Sequence, residues 1–163
     1  MKVIDNFLSP SHFKELQSFL MSHHFPWYYN ESSSYKGDGF PQLVHNVCSI
    51  EPASNGITSS FYPLFNNCQI KLGVRSLYRI KANLNPRTFF HRNTGWHTDL
   101  ALYDPHKTAV LYINTCNGYT EFKKGGKVKS VSNRVVIFDS SLKHAGFTCT
   151  DQQRRVVINF NYE

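Results

Sequence analysis

Eight short segments between Leu77 and Tyr162 read as β-strands: 77–84, 96–100, 108–114, 119–123, 127–131, 134–139, 143–149 and 155–162. They are rich in Val, Ile, Tyr and Phe. Turn-forming residues separate them, among them Asn85-Pro86, Asn117-Gly118 and the hairpin signal Gly125-Gly126. Many short strands with turns between them indicate a closed or double-sheet β architecture, and eight is the strand number of a jelly roll. Alternation assigns the faces. In the first strand Tyr78, Ile80, Ala82 and Leu84 take one side, and Arg79, Lys81 and Asn83 the other. In the last, Val156, Ile158 and Phe160 face a core while Arg155, Val157, Asn159 and Asn161 face the opposite way. Val110, Tyr112 and Asn114 share a face of the third. With helices outside a barrel, the polar faces line its interior mouth.

The chain before residue 76 has a different texture. Ser9 and Pro10 are a helix start, a capping hydroxyl followed by proline in the first turn. Phe13, Leu16, Phe19 and Leu20 continue it as an apolar stripe, and the helix is expected to end near His23-His24. A short strand is expected over 25–29, a loop over 32–41 that could cover a site, and a strand over 42–50. A second helix is expected over 53–67, with Pro63 at its start or kinking it. His45 reads as a structural histidine. The whole of 1–163 is read as one domain, with 1–75 as helical support and lid region and 76–163 as the β core.

Charged residues are only 18% of the 163, too few for a disordered chain, and 40% are hydrophobic, enough for a core. The net charge of +7 suits an anionic partner, although the basic residues are dispersed. Cys48, Cys68, Cys116 and Cys149 show neither a CxxC pair nor zinc-finger spacing. No apolar leader or membrane-length run occurs, so a cytoplasmic protein with reduced thiols and no membrane partner is expected.

The chemistry concentrates in Gly95-Trp96-His97-Thr98-Asp99-Leu100. On a strand His97 and Asp99 point the same way. With 8 His and 11 acidic residues in 163 positions, chance alone gives roughly 0.5 His-x-acid triplets. The triplet gains meaning from its setting: a strand before it, His144 before the final strand, and Arg155 opening that strand. Two imidazoles and a carboxylate on one face of a metal form the ligand set of non-haem Fe(II) oxygenases and leave three positions open. Zinc hydrolases use similar ligands. Arg155 distinguishes the two, because a guanidinium can grip a carboxylate bidentately. A metal chelating one end of a dicarboxylate, with an arginine on the other, describes 2-oxoglutarate binding.

These residues carry a family resemblance. From Tyr78 to Tyr162 the chain resembles the 2-oxoglutarate- and Fe(II)-dependent dioxygenases of the prolyl-hydroxylase-like branch, and in particular the small members carried by bacteriophages. The matching motifs are His97-x-Asp99, Val110-Leu111-Tyr112-Ile113-Asn114, Gly118-Tyr119-Thr120-Glu121-Phe122, Asn133-Arg134-Val135-Val136-Ile137-Phe138, His144 and Arg155-Val156-Val157-Ile158-Asn159-Phe160. The resemblance implies a mainly β, double-stranded β-helix (cupin-like) core with the N-terminal helices packed on one sheet. It implies Fe(II) on His97, Asp99 and His144. It places the distal carboxylate of 2-oxoglutarate on Arg155, with Arg154 as the alternative, and on Tyr112. Asn83, Asn114, Asn159 and Asn161 are candidates for the pocket or for positions behind the ligands, as is Arg154; Asp139 is a further candidate to orient ligands. The implied reaction consumes O2 and 2-oxoglutarate, releases succinate and carbon dioxide, and hydroxylates a C–H bond of a protein side chain such as proline, or of a small metabolite. For a phage-encoded chain the location would be the host cytoplasm.

Two other readings stand beside this one. The positive charge suits a nucleic-acid-directed oxygenase, yet no basic residue follows Arg155, where alkylation-repair dioxygenases would lead one to expect another arginine. A non-catalytic jelly-roll binding module with a vestigial metal site would tolerate loss of His97 or Arg155.

Overall fold

The computed structural model describes residues 1–33, 39–50, 56–57, 59–99 and 106–163. In chain order these form β1 (Lys2–Ile4), α1 (Pro10–Leu20), β2 (Tyr28–Asn30), β3 (Gln42–Ser49) and β4 (Gly56–Ile57). A 3-10 turn (Tyr62–Phe65) leads into α2 (Asn66–Leu72). The strands β5 (Leu77–Pro86), β6 (Lys107–Tyr112), β7 (Tyr119–Phe122), β8 (Gly126–Lys129), β9 (Arg134–Asp139), β10 (His144–Phe147) and β11 (Arg154–Tyr162) follow.

All pairings are antiparallel. The major sheet runs β1-β9-β6-β11-β5-β3-β2, with β4 paired to β3, and the minor sheet runs β10-β7-β8. Bridges Asn93–Phe147 and His97–His144 lay residues 93–97 beside β10 as a fourth, irregular member of the minor sheet. The core of the fold is therefore β9-β6-β11-β5 opposite 93–97-β10-β7-β8. This is the double-stranded β-helix expected from the sequence.

The alternation sorts side chains as read. Ile80, Ala82, Leu84, Leu111, Val156, Ile158 and Phe160 leave the major sheet outward and bury against Phe13, Leu16 and Leu20 of α1 and Phe65 and Cys68 around α2. Val110, Tyr112, Val136, Phe138 and Val157 leave it inward, toward Phe122 and Val128 of the minor sheet. Fully burying one Leu- or Phe-sized side chain contributes about 1.5–3 kcal/mol, so the outer layer fixes the sheet whose inner face carries the polar residues.

Several boundaries differ from the sequence expectation. Helix α1 stops at Leu20 with Met21 as its cap, so His23 and His24 lie beyond it. The strand expected over 25–29 forms at Tyr28–Asn30. The helix expected over 53–67 begins later. Residues 51–55 and 58 lie outside the described residues, 56–57 are β4, and Pro63 sits in the first turn of the 3-10 segment, where its missing N–H is harmless. Helix α2 then closes on left-handed Gly73. Leu100, part of the expected 96–100 strand, lies outside the described residues, and that segment pairs only through isolated bridges. Of the expected covering loop, 34–38 lie outside the described residues. His45 is structural, its two nitrogens bonded to the Pro26 carbonyl and the Ser59 hydroxyl at 2.8 Å each. Strand β1 lacks a sequence signal because three residues are too few to show alternation.

One residue ties the N-terminal segment to the β core. Asn133, in the left-handed region at φ 60°, accepts from Leu8 N at 2.8 Å through Oδ1 and donates to Leu8 O at 2.9 Å through Nδ2. Its own carbonyl accepts from Phe7 N at 2.9 Å. Asn133→Ala leaves two buried backbone groups unpaired and removes one of the few non-glycine side chains that tolerate the left-handed region, so it should destabilise the fold by about 2–4 kcal/mol, read from urea unfolding. An unchanged urea midpoint would show that the segment is held by apolar packing alone.

Candidate metal centre and adjoining pocket

His97 and His144 face each other across the bridge. Each accepts the other's N–H, at 3.0 and 2.9 Å. Directly opposed residues project on one side, and the two rings lie 4.5 Å apart between centroids. Asp99, two residues on, shares that side, and its own N–H is held by Ser140 O at 3.1 Å. Nε2 of His97 and Nε2 of His144 each lie 3.8 Å from an Asp99 carboxylate oxygen.

The tautomers follow from the carbonyls around the rings. His97 Nδ1 meets Gly95 O at 3.0 Å and His144 Nδ1 meets Leu142 O at 2.9 Å. A carbonyl only accepts, so each Nδ1 carries the proton and each Nε2 turns a lone pair toward Asp99. Asp99 is 3% exposed. Its Oδ1 accepts from Arg79 at 3.1 Å and its Oδ2 from Thr108 at 2.8 Å. Thr108 is itself bonded to Ser140, and Asn161 bridges Thr108 and Arg79. Burial works to raise the Asp99 carboxyl, but the Arg79 charge and the Thr108 hydrogen bond, with each histidine adding when it is protonated, hold it below the usual carboxylate range. Burial also pushes His144 below the usual histidine value, aided by His97 and Arg79 against Asp99. Neutral imidazoles and an ionised carboxylate are the forms that bind a metal, and the set fits a divalent first-row ion with open positions.

A cavity of about 150 Å³ adjoins the triad, its walls including Arg79, Lys81, Asn83, Thr94, Thr120 and Arg155. Arg155 is 2% exposed. Its Nε donates to Ser130 Oγ at 2.8 Å and its NH2 to Thr120 Oγ1 at 3.1 Å, while the guanidinium stands over the Tyr112 ring. Among the described residues no carboxylate lies within 4.0 Å of it. Two glycines make its space. A Cβ on Gly118 would stand 2.7 Å from Arg155 Cδ, and one on Gly146 would stand 3.4 Å from NH1.

The sequence candidates divide into those on this cavity and those away from it. His97, Asp99, His144, Arg155, Asn83 and Asn159 line it. Tyr112 does not. It is wholly buried behind the wall, and its hydroxyl donates to Thr120 at 2.9 Å. Asn161 lies one layer back, between Arg79 and Thr108. Asn114 follows the end of β6 and turns to the other side of the major sheet, where it bonds Arg154 O and Val156 N at 2.9 Å each. Arg154, out of phase with Arg155, reaches the Met21 carbonyl there. Asp139 bonds Ser141 at the surface. The sequence reading put Arg79 on the inward face without a role in the site, and gave none to Thr108, Thr120, Ser130, Gly118 and Gly146. Arg79 and Thr120 fall on the inward phase of their strands; the two glycines carry no signal until Arg155 is placed beside them.

No family profile matches the chain, and no curated protein does. Solved structures do match in shape. HygX from Streptomyces hygroscopicus, with nickel and 2-oxoglutarate bound, aligns over 98% of this chain and 81% of its own at TM-score 0.64 and 15% identity. A prolyl-4-hydroxylase from Pseudomonas putida covers 99% and 91% at TM-score 0.61 and 12% identity. A prolyl hydroxylase from Trichoplax adhaerens, in complex with a hypoxia-inducible-factor peptide fragment, covers 99% and 82% at TM-score 0.58 and 16% identity. The fold is that of the 2-oxoglutarate–Fe(II) oxygenases. No helix among the described residues is long and apolar enough to cross a membrane.

Removing any one donor leaves two. His97→Ala, Asp99→Ala and His144→Ala should each weaken Ni(II) or Co(II) binding by about 100-fold or more in anaerobic calorimetry. Because both the Asp99 and His144 values are lowered, these two side chains should take up protons only below their ordinary values, which for His144 means below about 6.5, followed by NMR titration of the His144 ring in metal-free protein. A His144 ring that titrates at or above that value would contradict the burial argument.

Proposed function

We propose that this chain is an Fe(II)- and 2-oxoglutarate-dependent oxygenase. The observation that carries the reading is Arg155, a buried cation with no carboxylate in reach among the described residues, on the same cavity as the two-histidine, one-carboxylate set. Its hydrogen-bond acceptors are the neutral Ser130 and Thr120 hydroxyls, and a buried charge is costly without a counter-charge, so the pocket suits an anion. A dicarboxylate with one end at the metal and the other at Arg155 satisfies both.

In this reading His97, Asp99 and His144 hold Fe(II), which would supply oxygen activation coupled to oxidative decarboxylation of 2-oxoglutarate and oxidation of a substrate C–H bond. The protein does the positioning. Gly95 O and Leu142 O fix the imidazole tautomers. Arg79 and Thr108 keep Asp99 ionised and oriented. Ser130 and Thr120 aim the Arg155 guanidinium, with Tyr112 as its floor and as the donor to Thr120. The primary substrate is a protein side chain, such as proline, or a small metabolite, which hydroxylation would leave alongside succinate and carbon dioxide. Lys81, Asn83 and Asn159 on the cavity favour a substrate with polar or anionic groups near the reacting carbon.

Anaerobic Fe(II)-loaded protein titrated with 2-oxoglutarate should develop the metal-to-ligand charge-transfer absorption of the chelate. Arg155→Ala should weaken 2-oxoglutarate binding by about 100-fold or more, with metal affinity retained. Arg154→Ala should leave both unchanged. Gly118→Ala should act like Arg155→Ala, by pushing the guanidinium out of place. A wild type that binds iron yet shows no chelate band would end the oxygenase reading in favour of a metal-dependent hydrolase or a binding module.

A further inference from the structure

A second set of metal-ligating groups lies outside the triad. Cys116, Cys149 and Asp151 each offer one ligand atom, and these atoms all lie within 4.8 Å of one another. The two cysteines are buried free thiols, and Asp151 is exposed at the edge. The loops that carry them are already clamped. Asn117 N donates to both Asp151 oxygens at 3.0 and 3.1 Å, Asn117 Nδ2 donates to Thr150 Oγ1 at 2.7 Å, and Thr150 N donates back to Asn117 Oδ1 at 2.9 Å. Cys116 N is held by Ser130 O at 3.1 Å.

We infer that Cys116, Cys149 and Asp151 form a second cation site, separate from the facial triad and suited to a thiophilic divalent ion such as zinc. Two thiolates and a carboxylate are zinc ligand types, and a tetrahedral ion would keep its fourth position for water. The donors come from two preformed loops, so little ordering is needed when the ion enters. The Asn117 N–H bonds orient the Asp151 carboxylate as partners behind a metal ligand do.

A divalent ion takes the place of the thiol protons, which leave to solvent as the Cys–metal bonds form. The site also touches the cosubstrate wall. Ser130 accepts from Arg155, and Gly118, two residues after Cys116, packs on the Arg155 side chain. An ion here braces the loops behind the guanidinium.

Cobalt tests this without reference to turnover. Reduced, chelator-treated full-length protein titrated anaerobically with Co(II) should show intense near-ultraviolet thiolate-to-cobalt charge transfer, which histidine and carboxylate ligands cannot produce. Cys116→Ser and Cys149→Ser should each abolish it, one equivalent of Zn(II) should bleach it, and His97→Ala should keep it. Asp151→Asn, which keeps one oxygen for the Asn117 N–H, should weaken cobalt binding here by about tenfold. The band is independent of the oxygenase reading, since the triad alone gives only weak d–d absorption. Wild-type protein with all four thiols reduced and no such band would overturn the site. So would a native Cys116–Cys149 disulfide found by peptide mass spectrometry, which would make the pair a redox couple instead.

Discussion

The constraint on which the site depends is the buried charge of Arg155. A guanidinium cannot shed its proton at physiological pH, so a fold that buries one must surround it with acceptors. The minor sheet and its turns meet that demand. Thr120 and Ser130 supply oxygens, Tyr112 supplies a ring face, and Gly118 and Gly146 supply the space. The major sheet contributes the arginine itself, on the inward phase of β11. The pocket therefore exists only when both sheets are formed and in register, since a shift of one residue would send Arg155 into the apolar layer under α1.

The candidate metal set has a comparable origin in backbone pairing. His97 and His144 come from distant parts of the chain, and the two hydrogen bonds they exchange put their rings side by side before any ion is considered. Asp99 joins them through period-two alternation. Its charge is kept by Arg79, from the inward face of β5, so the same sheet supplies the counter-charge for the ligand at one end of the cavity and the cation at the other.

Much of this was legible in the sequence because alternation is a strict rule in strands. Arg79, Lys81, Asn83, Arg155 and Asn159 were assigned to the inner face by counting in twos, and the structure puts them on the cavity. Counting fails where strands end. Asn114 lies two residues beyond the last residue of β6, the backbone has turned, and its side chain serves the opposite side of the sheet. Tyr112 was given the right face but not the right depth, since phase says which way a side chain leaves and not what stands in front of it. The second helix was misplaced because Pro63 was allowed at a start or at a kink, and the chain uses it in a preceding 3-10 turn. Glycine roles were invisible, because what Gly118 and Gly146 do is defined by an arginine remote in sequence.

Among the described residues the margins of the major sheet are short strands, β1 of three residues at one end, and β2 of three and β4 of two side by side on β3 at the other. A sheet edge offers unpaired amides and carbonyls to any passing strand, and a long flat edge invites stacking between molecules. Edges this short offer little to pair with. β1 is further pinned from behind by Asn133, which bonds the chain just after it. The protein can thus keep a wide antiparallel sheet, needed to span both ends of the cavity, while denying its margins to intermolecular strand exchange and the fibrous association that follows from it.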